Sequence, residues 1–418
     1  MSSSNYISFY DPSDRDLAVQ LWQEGVESVR GETATRNALI ADQSRPWEHV
    51  LSIGKAGSSM MLGAVSYLAE DGKALVVTKT DHADEVLIQD PRITVIESGH
   101  PVPDGNSILA GSVAWDFVGE IGPDSDLLVL VSGGASALVE FPLDGIDLDT
   151  LKELNEQLLA DGYSIDQINS IRVLISRIKG GKLLGNFRGQ RLCVYGISDI
   201  PGDDADLIGS GIAALKPPQV APFDIAEDIS KVVAMARSVM ETTPETLAEP
   251  PANYASRLIG SNTLARNAVS EAATRLGLNV IEQAELIDGD ILPLADTLAK
   301  KIATGKPGVY IWGGESTVRL PDNPGYGGRN QSLSLALVLA LTKYPEIDWF
   351  GVVAGTDGTD GPTHAAGGII HAGMVLEGAQ KAIDAADAGN WLQQVGALFV
   401  TGPTGTNVMD LIVVVKRS

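Results

Sequence analysis

The chain has 418 residues, of which 44% are hydrophobic and 20% charged, and its formal net charge is −24. That length exceeds the roughly 250–300 residues that one hydrophobic core organises, so two domains are expected, and the composition is globular rather than disordered. The acidic balance repels phosphate backbones and anionic lipid, which argues against a nucleic acid or a membrane as partner. An anionic substrate would therefore have to meet locally concentrated cations or a metal.

The first forty or so residues read as helix, with Leu17, Leu21 and Val26 as an apolar stripe and Asp14 as a cap. No basic start followed by an apolar stretch opens the chain, and no run approaches ~18 apolar residues, so the cytoplasm is the expected compartment. Short branched runs then alternate with amphipathic segments. HVLSI (49–53), ALVVT (74–78), ITVIE (93–97), LLVLV (127–131) and LCVYGI (192–197) suit buried strands, with helices at 106–120 and 148–160. This alternation predicts a parallel sheet with helices on both faces. The lone Cys193 lies in one of these runs and reads as a small buried residue, and no Cys pair or HExxH pattern offers zinc ligands.

Around 217–251 the proline clusters of KPPQVAPFD and ETTPETLAEPPAN flank a helical stretch, KVVAMARSVM. They suit a domain connection, so we expect domains at 1–245 and 246–418, with the first 44 residues able to pack on the other domain. A second set follows: strands at RLIG (257–260), NVIE (279–282), VYIW (309–312), FGVVA (350–354), ALFV (397–400) and DLIVVV (410–415), and helices at 262–276, 291–303, 329–343 and 373–386. The expected class is α/β, in two units.

Ligands of open α/β sheets bind beyond the carboxyl ends of strands. Here seven strands empty into GKAGSS, SGHPVPDG, SGGASA, SDIPGDD, GGES, GTDGTDGPT and TGPTGTN, which points to a shared ligand cleft. In SGGASA, residues Ser132, Gly133, Gly134, Ala135 and Ser136 let backbone N–H groups approach an anion; the plain alternative is a tight turn. Lys55, between Gly54 and Gly57, suits a phosphate contact. It is no Walker A lysine, since neither Ser nor Thr follows it.

Asp357 and Asp360 in GTDGTDG, and Asp199, Asp203 and Asp204 in SDIPGDD, offer hard oxygens to Mg²⁺ or simply make turns. Arg329 in YGGRNQ stands at a helix start, where a cation is at odds with the macrodipole unless an anion lies between. Glu315 in WGGES is a partner for Lys55 or Arg329. His100 and His364 sit in loops and are weaker candidates.

Nine ordered motifs, SIGKAG, ESGHPVPD, LVSGGASAL, INSIRVLISRIKGGKL, GISDIPGDD, IGSN, WGGE with GGRNQ, AGTDGTDG and TGPTGTNVMD, resemble those of the class II (MOFRL-type) glycerate 2-kinases over residues 10–418. The resemblance implies a Rossmann-like N-terminal domain, a smaller C-terminal α/β domain and an active site in the cleft between them. It implies phosphorylation of D-glycerate at the 2-hydroxyl by ATP with Mg²⁺ or another divalent metal, giving 2-phosphoglycerate and ADP. Lys55, Arg329, Asp199 and Glu315 match the family's catalytic positions, and Asp357 with Asp199 its metal carboxylates. Ser132 to Ser136, Asn262, Gly328 and Asn330 fall in its cofactor-binding motifs. A homodimer is compatible with this reading.

Two alternatives remain open on the residues alone. One is an NAD(P)H-dependent hydroxypyruvate reductase, against which no GxGxxG follows a predicted strand. The other is a kinase for another short sugar acid.

Overall fold

The computed structural model describes residues 12–215, 229, 232–234 and 251–417. The expected proline-flanked connection lies largely outside them, and of its helix only 232–234 are described, as helical. The chain forms two compact units. One holds Arg30–Gly260 with Gly405–Asn407; the other holds residues 12–29, Ser261–Thr404 and the segment from Val408 on.

The first unit is built on six strands: β1 (Trp47–Ile53), β2 (Leu68–Lys79), β3 (Ile93–Ser98), β4 (Asp126–Ser132), β5 (Arg191–Ile197) and β6 (Asn253–Gly260). Their order is β3-β2-β1-β4-β5-β6, and every pairing is parallel. This is the doubly wound Rossmann order, whose direction of winding reverses between β1 and β4. Strands buried on both faces must be apolar throughout, and β4 is buried along its whole length. The core joins Leu51, Val77, Val129 and Val194 of the sheet to Ala110, Ala114 and Val118 of helix Gly105–Gly119. Asp104 caps that helix in a reciprocal pair with Ser107.

The RLIG strand was expected to open the second domain. Its residues instead extend β6 along β5, with Cys193 opposite Ala255 and Gly196 opposite Leu258. A short apolar run carries no label for the sheet it joins. Cys193 is buried, and burial pushes its thiol up to about 11.

The second unit carries β7 (Val280–Asp290), β8 (Gly308–Thr317), β9 (Trp349–Gly355), β10 (Gly367–His371), β11 (Leu398–Phe399) and β12 (Asp410–Lys416), ordered β11-β10-β9-β12-β8-β7. Only β7 and β8 pair in parallel; the other four pairings are antiparallel. Helices Ile291–Thr304 and Arg329–Leu341 pack on one face through Leu298, Ile302, Leu333 and Leu337. Helices Pro12–Ser28 and Asn262–Arg275 contribute Leu21, Trp22, Val269 and Ala273 to the core that also holds Ile311, Val352 and Val413.

The N-terminal helical region thus divides. Pro12–Ser28 belongs to the second unit and Gly31–Ala41 to the first. Asp14, expected as a cap, lies inside the first turn, where its carboxylate pairs with Arg417.

Candidate active site

In the first unit the polar strand ends meet at the reversal between β1 and β4. The N–H of Lys55 donates to the carbonyl of Gly133 at 2.9 Å, and the N–H of Ala56 donates to the Ser132 hydroxyl at 3.0 Å. Close approach requires glycine here. A Cβ on Gly54, which has φ +130°, would lie 2.2 Å from Oγ of Ser132.

Gly134 adopts φ 83°, and a Cβ there would lie 2.9 Å from Cγ of Lys55 and 3.1 Å from the His100 ring. A Cβ on Gly133 would lie 1.8 Å from Oδ2 of Asp199. Lys55, His100, Gly133, Gly134 and Asp199 therefore form one cluster from the ends of β1, β3, β4 and β5. Asn407 joins it by donating from Nδ2 to Oδ2 of Asp199 at 3.0 Å.

The SGGASA loop starts only a single helical turn, Ala135–Leu138. Ser132, Gly133 and Ala135 are buried, and the Ser132 hydroxyl is already engaged by Ala56, so the partly exposed residues of the loop are Gly134, Ser136 and Ala137. Ser136 is held from behind. Its hydroxyl bonds that of Ser210 at 2.5 Å, and Ser210 donates to Oδ1 of Asn169 at 2.9 Å. Just after this loop in sequence, Glu140 forms an ion pair with Lys179, their side chains 3% and 1% exposed.

A second cluster occupies the corresponding edge of the second unit's sheet. Because β12 runs antiparallel to β8 and β9, its first residue, Asp410, lies opposite Gly314 and Gly355 at their carboxyl ends. Arg329 donates from Nε to Oδ2 of Asp410 at 2.8 Å and from Nη2 to Oδ1 at 3.0 Å, and its Nη1 lies 2.5 Å from Oε1 of Glu315. Burial pulls against the guanidinium charge, but the hydrogen bonds and charges of Asp410 and Glu315 outweigh it and raise the pKa of Arg329. Of the two partners named for Glu315 from sequence, the pairing here is with Arg329.

Asp360 supplies the compensation expected at the helix start. Its two carboxylate oxygens accept the N–H of Asn330 at 3.1 Å and of Gln331 at 2.8 Å, so it caps Arg329–Leu341 from outside the helix. Burial pushes this carboxyl up to about 7, against the two N–H bonds that lower it. Asp357 sits in a turn whose Oδ1 accepts from Thr359 N at 2.9 Å and from its hydroxyl at 3.0 Å. Asp204 caps the short turn from Ala205, while Asp203 adopts φ 55° and its buried Oδ1 has no hydrogen-bond partner among the described residues.

Three residues expected to hold cofactor are turned inward. Asn262 is fully buried, donating to the carbonyls of Val408 and Asp410 at 2.9 Å each and accepting from Nε of Arg266 at 2.9 Å. Asn330 is buried and donates to Asp410 at 2.8 Å. A Cβ on Gly328 would lie 2.3 Å from Oδ1 of Asp360. Their polarity serves the loop scaffold, because polar groups this deep must find partners within the fold. His364 lies 3.3 Å from the Tyr326 hydroxyl through Nδ1. Among the described residues no three or more His, Cys, Asp or Glu side chains converge as metal ligands.

Asp410, Asn407, Ser210 and Asn169 were not singled out from sequence. Asp410 and Asn407 lie in the TGPTGTNVMD motif, and Asp410 opens the expected strand DLIVVV, but which groups it faces is not visible until β12 is known to be antiparallel.

Comparison with known proteins gives the family of this chain. A family model described as a domain of unknown function (DUF4147) matches residues 17–244, and the MOFRL family model matches residues 308–410. The glycerate 2-kinase of Pyrococcus horikoshii is 33% identical, with 97% of this chain and 98% of that protein covered. The chain belongs to the class II glycerate 2-kinase family. The family's D-glycerate 2-kinase from Thermotoga maritima is 32% identical over 97% of this chain and 99% of its own. A crystal structure of glycerate kinase from Thermotoga maritima superposes with a TM-score of 0.81 at 30% identity, covering 97% of this chain and all of that one.

Proposed function

We propose that this chain is an ATP-dependent kinase that phosphorylates D-glycerate at its 2-hydroxyl, giving 2-phosphoglycerate and ADP. The observation that carries this reading is the placement of Lys55 at the Rossmann reversal, tied to the SGGASA loop through Gly133. A lysine whose backbone is tied beside a glycine-floored turn carries an ammonium that can follow charge as a phosphoryl group moves, and such transfer needs positioning and charge stabilisation more than a strong base. Full-length similarity to proteins named glycerate 2-kinase supports the choice of acceptor.

Lys55 of the first unit supplies positive charge to phosphoryl oxygens; Arg329, in the second, offers the same kind of charge and is oriented there by Glu315 and Asp410. Gly134 and Ser136 offer the partly exposed polar surface of the SGGASA loop to an anion. Asp199 in the first unit and Asp357 in the second are each a carboxylate that a divalent cation can use. Mg²⁺ takes one or two carboxylates beside phosphate oxygens, so a single carboxylate fixed by a neighbour, as Asp199 is by Asn407 and Asp357 by Thr359, fits it. Bound there, the ion would neutralise phosphate charge.

No helix among the described residues is long and apolar enough to cross a membrane. We assign the enzyme to the cytoplasm, where ATP is available.

The deciding experiment offers the purified protein two substrate pairs. ADP release from ATP and Mg²⁺ that depends on D-glycerate supports the kinase. NADH oxidation by hydroxypyruvate without ATP would establish the reductase instead.

A further inference from the structure

We propose that Asp410 is the positioning residue of Arg329, fixing the guanidinium so that one N–H on each terminal nitrogen is presented to the phosphoryl group. This rests on the assignment of Arg329 to phosphoryl transfer above.

A guanidinium carries five N–H donors in one plane. Asp410 takes two of Arg329's, one from Nε and one from Nη2, and Glu315 takes one from Nη1. The remaining pair, one on Nη1 and one on Nη2, matches two oxygens of a phosphoryl group. The orientation of that pair is set by whichever carboxylate cannot move.

That carboxylate is Asp410. Its side chain is 6% exposed, whereas Glu315 is 47% exposed and can swing away. Asp410 also accepts from Nδ2 of Asn330 at 2.8 Å, and its backbone is held on both sides by β8 and β9. The turn into it is pinned as well. Met409 adopts φ 68°, a left-handed conformation unusual for a side chain of this size, and its carbonyl accepts both the N–H of Thr356 at 3.0 Å and the Thr356 hydroxyl at 2.6 Å. The Thr356 hydroxyl in turn accepts from Val408 N at 2.9 Å. Strain at one residue, held by two hydrogen bonds, aims the next residue at Arg329.

Two carboxylates contact one guanidinium, and their negative charge opposes an incoming phosphate. The exposed Glu315 is the partner that can yield, and the guanidinium then keeps its direction through Asp410 alone.

The test measures steady-state kinetics with ATP, Mg²⁺ and D-glycerate, together with Tm, for Asp410→Asn, Asp410→Glu, Arg329→Ala and the double variant Arg329→Ala/Asp410→Asn. Asp410→Asn should lower kcat about 100-fold while each KM moves less than about threefold, because the loss is of orientation in the transition state. Asp410→Glu keeps the charge but shifts the carboxylate, and should cost about tenfold or more in kcat.

In the Arg329→Ala background, Asp410→Asn should cost less than about twofold further, since its effect passes through Arg329, and should raise Tm by removing an unpaired buried charge. Wild-type kcat in folded Asp410→Asn overturns the proposal, as does an undiminished loss in the Arg329→Ala background. Should Asp410→Asn not fold, near-wild-type kcat in Asp410→Glu overturns it. Near-wild-type turnover by Arg329→Ala overturns the assignment of Arg329 and the proposal with it, whereas an inactive Arg329→Ala beside an active Asp410→Asn removes the proposal alone.

Discussion

The backbone N–H of Lys55 donates to the carbonyl oxygen of Gly133 at 2.9 Å, so the loops that end β1 and β4 are locked where the first sheet reverses. The next residue, Gly134, lies at φ 83° with Lys55 and His100 against the space a Cβ would need. Gly134→Ala should therefore cost about 1–2 kcal/mol in backbone strain and displace Lys55, lowering kcat/KM about 100-fold. Thermal unfolding and steady-state rates check both parts, and an unchanged rate would show that the loop does not set Lys55.

Lys55 itself should behave as a charge supplied to the reaction rather than as a structural prop. Lys55→Met is expected to lower kcat about 1,000-fold with little change in Tm. Lys55→Arg should fail to restore the rate, because a planar fork cannot take the place of a compact ammonium on the glycine floor. Activity within a few fold of wild type in either variant would contradict the role.

Much of this arrangement was legible in the sequence, for a physical reason. Branched runs such as LLVLV need burial on both faces, and β4 is buried throughout, so strands and their polar ends could be placed together. Partner choice was less visible. The stripe of Leu17, Leu21 and Val26 demands an apolar face without naming which, and it covers the second sheet although it precedes the first in sequence. GGIIH was too short and glycine-rich to read as β10. Asn262 was assigned to the cofactor through the family resemblance of IGSN, yet Val408, Asp410 and Arg266 use its amide. Asp410 was hidden because its importance arises from antiparallel pairing, which a single run of residues does not encode.

The Lys179 and Glu140 pair tests the foundation of the SGGASA loop. Desolvation lowers the pKa of Lys179 while the Glu140 carboxylate opposes it, and both side chains are buried. Lys179→Met should destabilise the protein by about 3–5 kcal/mol by stranding a buried carboxylate. Adding Glu140→Leu should recover most of that loss. Chemical denaturation measures both, and equal loss in the single and double variants would mean that the charge pairing is not what matters.

Asp360 predicts a pH dependence of stability. Its carboxyl titrates at about 7 when folded, against an ordinary value of 3.8, because burial outweighs the N–H bonds of Gln331 and Asn330. A raised folded value means the folded state binds the proton more tightly. The resulting stabilisation is fully present below about pH 4 and is lost as pH rises to about 7. Unfolding free energies measured across that window should fall more steeply with pH for wild type than for Asp360→Asn. Parallel curves would place Asp360's titration outside it.

The central claim is the phosphorylation of D-glycerate at its 2-hydroxyl, and the most direct measurement identifies the product. Protein incubated with ATP, Mg²⁺ and D-glycerate should yield 2-phosphoglycerate and an equal amount of ADP, resolved from 3-phosphoglycerate by ³¹P NMR. Accumulation of 3-phosphoglycerate, or of neither phosphoglycerate, would contradict the account.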